Sequence, residues 1–366
     1  MRELKVLVAI GFIFVMGFLG SARAAGPLTH VTTVPLGTKA HDIVLQGDFA
    51  YVVTDLGLTI VEVSNPASPV VRGSVSTGKT QGVDVKGSYA YVASQTKDLR
   101  VIDISNPDAP TIIGLKVLPG QTWDVAVKDN IAYVASFGGE LYVFNIANPA
   151  DPILVKRIGL LKWSKPGLDA FYLEKLNNYV TSGNALTTGV SVTGNALVTV
   201  DWGYGRLFYY DVTTAANPVF KGTHYAPFLL KAEADPDRDV VYMLGAYGKF
   251  SGLFTVPISA MGSTHSTRYD QCSSCDFLPA NHVIGQGGLA VSANGKYVLY
   301  VGGLEAQLHV VDVSDPADRQ EVASVSIGEP QVKLAETIGL TSRGDYIYVA
   351  GGATGVQVYL FPGLSN

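Results

Sequence analysis

Residues 47–75 read GDFAYVVTDLGLTIVEVSNPASPVVRGSV, and this stretch holds the pattern that decides the fold. It contains three of the unit's four short apolar runs, rich in Val, Ile and Tyr and alternating with polar residues, as half-buried strands do; the first run lies just before it. Ala50-Tyr51-Val52 marks the second run. Ser64-Asn65-Pro66 closes the third. There Asn can cap a turn with its side chain, and Pro sets φ where no ladder N–H is lost. Pro69 then opens the fourth run, a place suited to an edge strand.

Working outward, the same text returns. Residues 87–117 read GSYAYVASQTKDLRVIDISNPDAPTIIGLKV, and residues 129–158 read DNIAYVASFGGELYVFNIANPADPILVKRI. Tyr51, Tyr91 and Tyr133 are 40 and then 42 residues apart. A period of that size belongs to solenoids, arrays and propellers. Looser copies follow around Ala196-Leu197-Val198, Val241-Tyr242-Met243, Leu299-Tyr300-Val301 and Ile347-Tyr348-Val349, at wider spacings. Insertions are therefore expected near 160–190 and 259–286. The seventh unit stops at Phe361-Pro362-Gly363, where its fourth strand should begin. Residues 27–34, PLTHVTTV, resemble the fourth run at 69–75, PVVRGSV. The expected architecture is all-β: a seven-bladed β-propeller of four-stranded antiparallel blades, closed by the mature N-terminal strand joining the last blade. Such a join removes exposed strand edges.

LTIVEVSNPASPVVRGSV, LRVIDISNPDAPTIIGLKV and LHVVDVSDPADRQEVASV resemble the LVIVD repeat of exported bacterial and archaeal propeller-like proteins. The resemblance is strong over 41–157, good over 287–326 and loose over 190–258. It implies a propeller and says little about activity, because propellers host unrelated functions.

The N-terminus reads as a targeting segment. Arg2 and Lys5 precede an apolar run from Val6 to Leu19, then Ala22-Arg23-Ala24 before Ala25. This is the charge, apolar core and small-residue cleavage pattern of a signal peptide over residues 1–24. It predicts an exported chain, in the periplasm, at the cell surface or secreted, with one propeller over 25–366. Cleavage removes three basic side chains and one acidic one, so the mature chain is more acidic than the net −5 of the whole. No Lys/Arg cluster is visible, which argues against a nucleic-acid partner. No later stretch is long and apolar enough for a transmembrane helix. A monomeric fold is expected, with a protein or envelope component as partner.

Candidate chemistry gathers where each blade's first strand should meet the central channel. Nine residues before the aligned Tyr stand Asp42, Gly82, Asp124 and Glu233; ten before stand His41, Gln81, Trp123 and Ala232. His282 and Glu336 precede the sixth and seventh units. One reading is a polar channel mouth binding a small polar ligand or a hard cation, Ca2+ or another divalent ion, through oxygen ligands. Crowded carboxyls would also raise one pKa and supply an acid or base. The other reading is that these acids satisfy backbone N–H groups where strands start.

Cys272 and Cys275, the only cysteines, are expected to pair in an oxidising compartment. Neither zinc-ligand spacing nor a Cys-x-x-Cys-His haem motif accompanies them. Leu168, Phe171, Tyr172, Leu176 and Tyr179 have near-helical spacing, predicting a short helix in the first insertion. Trp202, Tyr204, Phe208, Tyr209 and Tyr210 read as strand core or as a carbohydrate-stacking surface. No G-x-S-x-G, H-E-x-x-H, phosphate loop or dinucleotide fingerprint occurs. The function expected is a non-catalytic binding or scaffold module at the cell envelope. The alternatives are a channel-mouth metal-assisted hydrolase, lactonase or lyase, and an accessory subunit of a periplasmic or surface complex.

Overall fold

In the computed structural model, the four runs of residues 40–76 form one antiparallel sheet in chain order: Ala40–Gln46, Phe49–Thr54, Gly57–Glu62 and Val70–Ser76. The structure describes residues 27–137, 139–159, 187–201, 205–225, 229–247, 250–261, 267–268, 276–279, 287–302, 306–315, 319–328 and 338–365. Six more sheets repeat the plan, giving a seven-bladed β-propeller. Their inner strands are Thr80–Lys86, Thr122–Lys128, Thr187–Thr193, Leu229–Asp235, Leu289–Val291 and Leu340–Arg343. Thr29–Val34 pairs antiparallel with Val356–Leu360 and is the outer strand of the seventh sheet.

The Asn-Pro turns act as their chemistry predicts. Asn65 Oδ1 accepts the Ala67 N–H at 3.1 Å, and Asn106 Oδ1 accepts the Asp108 N–H at 3.1 Å. The outer strands Val70–Ser76, Thr111–Val117 and Ile153–Gly159 begin directly after Pro69, Pro110 and Pro152. No ladder bond is lost there, because each is an edge.

Apolar side chains of each blade pack on the next. Seven clusters result, one for each neighbouring pair of blades. Tyr51 and Val53 meet Ala90 and Val92; further round, Tyr348 and Ala350 meet Val52 and Val61. The recurrent tyrosines are core: Tyr51, Tyr91, Tyr133, Tyr242 and Tyr348 are buried. Phe208 and Tyr210 are core as well, and Tyr209 is half-buried. Trp202 and Tyr204 lie outside the described residues. Burying these rings is the main drive for blade-to-blade association.

The insertions depart from the simple plan. The fifth blade takes its outer strand, Asp276–Pro279, from within the second insertion. The same insertion lends Thr267–Arg268 to the edge of the fourth blade, parallel to Val219–Tyr225. The first insertion ends earlier than expected, because the fourth inner strand already starts at Thr187. The expected helix over 168–179 and the pair Cys272 and Cys275 lie outside the described residues, as does the signal segment 1–24. Helical structure among the described residues amounts to two 3-10 turns, Pro236–Arg238 and Ile258–Ala260. Among the described residues no helix is long and apolar enough to cross a membrane.

Candidate functional site: the central channel

Five inner strands start with the same β-bulge. Its extra residue is His41, Gln81, Trp123, Thr188 or Leu230, each skipped in the pairing with the second strand. Bulges re-aim side chains, and here the residue after the bulge faces the next blade around the channel. In register these residues are Asp42, Gly82, Asp124, Gly189 and Lys231. Gly288 and Gly339, whose carbonyls accept the Val301 and Ala350 N–H groups, hold the matching places in blades six and seven. Two residues deeper, a second ring comprises Val44, Asp84, Ala126, Ser191, Glu233, Ala290 and Thr341.

In the first ring each charged residue follows a glycine of the preceding blade, and for the two aspartates the reason is steric. A Cβ on Gly82 would lie 2.6 Å from Asp124 Oδ1 and 2.7 Å from its Cα. A Cβ on Gly339 would lie 2.2 Å from Asp42 Oδ1. Each of these charged side chains thus occupies space that the preceding blade leaves by having no side chain.

An inner strand has one edge with no strand beside it, and unpaired N–H groups there need acceptors. Aspartates supply them. Asp42 accepts from Ile43 at 3.0 Å within its own strand and from Val83 of the next blade at 3.2 Å. Asp84 accepts from Val85 at 2.7 Å and from Val127 of the third blade at 2.6 Å. Asp124 accepts from Val125 at 2.9 Å and from Val190 of the fourth blade at 3.1 Å. Its Oδ2 also takes the Lys231 ammonium of the fifth blade at 2.7 Å. Three carboxylates therefore staple blades one to four, and an ion pair extends the chain of contacts to blade five.

Together these strands enclose a cavity of about 420 Å³, lined by Asp42, Asp84, Asp124, Lys231 and Glu233 among others. Its electrostatics are unbalanced, with four carboxyl groups facing one ammonium. Burial raises the Asp42 pKa to about 6; Lys231 opposes the rise and Asp124 adds to it. Burial likewise raises Asp84 to about 7 against the pull of its two backbone donors, and Asp124 and Asp42 push the same way. Glu233 is raised to about 7 by burial, opposed by Lys231 and a Ser191 hydrogen bond and helped by Asp124 and Asp42. Burial works against the Lys231 ammonium, yet Asp124, Asp42 and Glu233 outweigh it and hold its pKa above the ordinary lysine value.

The sequence-predicted residues separate into three groups. Asp42, Gln81, Trp123, Asp124 and Glu233 line the cavity. Trp123 packs its ring on Phe137, centroids 5.3 Å apart. His41 is not among the lining residues: it is buried in its bulge, with Nε2 2.8 Å from Asp55 Oδ1. His282 and Glu336 lie outside the described residues. Among the described residues no group of three or more His, Cys, Asp or Glu side chains is placed to hold a metal ion. The oxygens of Asp42 and Asp124 are turned to backbone amides instead.

Counting back nine residues from Tyr242 set Glu233 level with Asp42 and Asp124. In the structure Lys231 holds that level and Glu233 lies one ring deeper. The first hairpin of blade one spans only Gly47 and Asp48, whereas that of blade five spans Pro236–Arg238 and Asp239. A fixed count through hairpins of different length slips by two. Counting along the strand would have found both Lys231 and Asp84, neither of which the pattern singled out.

The LVIVD repeat profile matches residues 37–77, 77–115, 119–158 and 288–326, which are blades one, two, three and six. No curated protein matches the chain. Among solved structures, the chain is similar to the Cps50 (Swd1) β-propeller domain of Myceliophteria thermophila. The two are 12% identical with a TM-score of 0.61, over 91% of this chain and 99% of that one. It is also similar to hydrazine synthase of Kuenenia stuttgartiensis, at 14% identity and a TM-score of 0.63, over 90% and 97% of the two chains. At such identities the likeness concerns the fold alone. On its four matched repeats and its seven sheets, the chain is a β-propeller that carries LVIVD repeats.

Proposed function

We propose that this chain is an exported, non-catalytic propeller that works as a binding and scaffold module at the cell envelope, docking a protein or envelope component by its rim. The observation that carries this reading is the outer strands of blades one to four. Val70, Val71, Leu115, Val117, Ile153 and Val219 are all exposed there. Single exposed apolar side chains are ordinary, but a series along consecutive blade edges is the kind of surface that partners cover. Those edges also offer unpaired backbone groups to an added strand. Thr267–Arg268 already uses the edge of blade four in that way. The export half of the reading rests on the charged, apolar and small-residue pattern of residues 1–24.

The channel acids support a scaffold role. In Asp42, Asp84 and Asp124 one carboxylate oxygen accepts an amide of its own strand and the other an amide of the next blade. Carboxylates committed in this way hold the ring together and are poorly free to move protons. The test is affinity capture from solubilised envelope with the wild-type mature chain and with a Leu115→Lys, Val117→Lys variant. One stoichiometric partner lost in the variant is expected; a partner retained at full yield would overturn rim docking. N-terminal sequencing of the exported protein should begin at Ala25, and a chain beginning at Met1 in the cytoplasm would overturn the export.

A further inference from the structure

The outer edges of the blades are not alike. In blades one, two, three and six the outer strand has an early bulge and then runs straight over 73–76, 114–117, 156–159 and 323–326. In blade two, Gly114 and Lys116 stand opposite Val101 and Leu99, which pack on blade three, so Leu115 and Val117 lie on the other face of the sheet. The matching positions are Ser74 and Ser76 in blade one, Arg157 and Gly159 in blade three, and Ser324 and Ser326 in blade six. Polar and charged side chains of that kind guard an edge strand. Blade two instead exposes Leu115 and Val117 by 51% and 75%. Its one edge cation, Lys116, is turned to blade three and held by Asp151 at 2.5 Å.

The backbone of this edge is open in a definite pattern. The Leu118 N–H donates into the sheet, to the Lys97 carbonyl at 2.7 Å. Inward and outward residues alternate along an antiparallel pair. Lys116 therefore also points its backbone groups inward, and Leu115 and Val117 point theirs out. In blade four the places of Lys116 and Val117 are held by His224 and Tyr225, and Thr267–Arg268 lies beside them as a parallel strand. The ring thus already takes an added parallel strand at the equivalent edge. On blade two such a strand would run up toward Lys97. That side chain is exposed and has no ion-pair partner among the described residues, whereas the nearby Arg100 and Asp98 neutralise each other at 3.0 Å. The uncompensated charge at that end is positive.

We propose that the outer strand of blade two takes an extended segment of a partner protein as a fifth, parallel strand, with apolar side chains at alternate positions beside Leu115 and Val117 and an acidic side chain after them at Lys97. The proposal rests on rim docking and names its edge, its direction and the chemistry of the partner. Main-chain hydrogen bonds supply the affinity in this mode, and alternate side chains supply the selectivity. A second copy of the same edge does not fit, because residues 111–120 bring no acid to Lys97.

The test uses the mature chain and a blocked octapeptide of alternating threonine and valine that ends in two glutamates, with a control ending in two lysines. Fluorescence anisotropy at low salt should show the glutamate peptide binding about fivefold more tightly, the size of an exposed ion pair. Lys97→Glu should reverse that preference. Val117→Pro removes an outward N–H without a ladder bond and should abolish binding while leaving the melt native. Val117→Thr keeps the amide and the side-chain shape and should bind only a few-fold more weakly, by about the worth of the lost apolar contact. On the unaltered protein, saturating peptide should slow amide exchange at Leu115 and Val117 and leave Lys116 and Leu118 as they were. No binding of the glutamate peptide by the wild-type chain, binding without that protection, or equal losses in the two Val117 variants would overturn strand addition. Rim docking fails separately: if the envelope partner is lost in Leu115→Lys, Val117→Lys but leaves these two amides exchanging freely in the wild-type complex, docking stands and strand addition falls.

Discussion

Blades one to three and blades four to five solve the same problem differently. In the first group, short hairpins and Asn-Pro turns repeat closely, and aspartates cap the open edge of the neighbouring inner strand. In the second, the hairpin of blade five is longer, insertions interrupt the period, and the channel carries Lys231 and Glu233 in place of a capping aspartate. The repeat profile matches the first group and neither blade of the second. The difference teaches that the repeated residues are those that hold blades together, whereas chemically distinctive groups arise where the repeat is broken. Asp124 stands at the boundary, bonded to blades three, four and five at once.

Experiments can press on that contrast. The greatest effect should come from removing residues 27–34, which would leave Val356–Leu360 with an open edge and strip Val34 from the core shared with blade one. A chain that aggregates, with no cooperative melt, is expected; a wild-type melt would show that the regular blades hold the ring without that strand. Next, Gly82→Val drives a side chain into Asp124 and should cost about 3 kcal/mol in urea unfolding, since overpacking a fixed backbone is severe. Gly159→Val, with nothing within 4 Å of the added Cβ, should change stability by about 0.5 kcal/mol or less.

Asp124→Ala strands the Lys231 ammonium and two amides and should cost about 3 kcal/mol. Asp84→Ala strands two amides only and should cost less, about 1–2 kcal/mol. Equal losses would dissolve the distinction drawn for the boundary residue.

The pH profile is a finer probe. Asp42, Asp84 and Glu233 have folded pKa values raised to about 6, 7 and 7, so between their unfolded values and about pH 7 the native state holds more protons. Stability should therefore fall as pH rises from about 5 to about 8, by a few degrees in Tm, and level off above. Asp55 and Asp345 are opposite: burial raises both, but His41 and two lysines outweigh it at Asp55, and hydrogen bonds from Ser365 and nearby backbone amides outweigh it at Asp345, so their contribution is present above about pH 4 and lost below. A Tm that rises from pH 5 to pH 8 would mean that the channel carboxyls are not held up. The smallest effect belongs to Arg72→Ala, which breaks an exposed clip from blade one to Asp108 of blade two and should leave the melt within experimental scatter.

Much of this was legible in the residues. Period-two alternation, buried tyrosines and Asn-Pro turns each act within a few positions along the chain, so they identified strands, turns and blade number without tertiary context. The seventh blade was legible too, because Pro27–Val34 has the pattern of a fourth strand and Phe361-Pro362 interrupts one. The channel was legible only in part. Asp42, Asp124, Gln81 and Trp123 were found because the early hairpins are equal in length. Lys231 was missed because the longer turn at 236–239 shifts the count and a lone lysine in a divergent blade carries no pattern; Asp84 was missed because it stands seven residues before Tyr91, one ring deeper than the positions counted. His41 shared the spacing of the lining residues, but the bulge buries it against Asp55.

By itself, then, the stretch 47–75 and its copies determined the secondary structure, the repeat and the ring, because those depend on local periodicity and turn chemistry. Only the tertiary structure decided what the acids do. Whether a carboxylate is a ligand, a base or a staple depends on which amides and which ammonium the neighbouring blade brings within about 3 Å, and that distance is set by packing between segments some forty to one hundred residues apart.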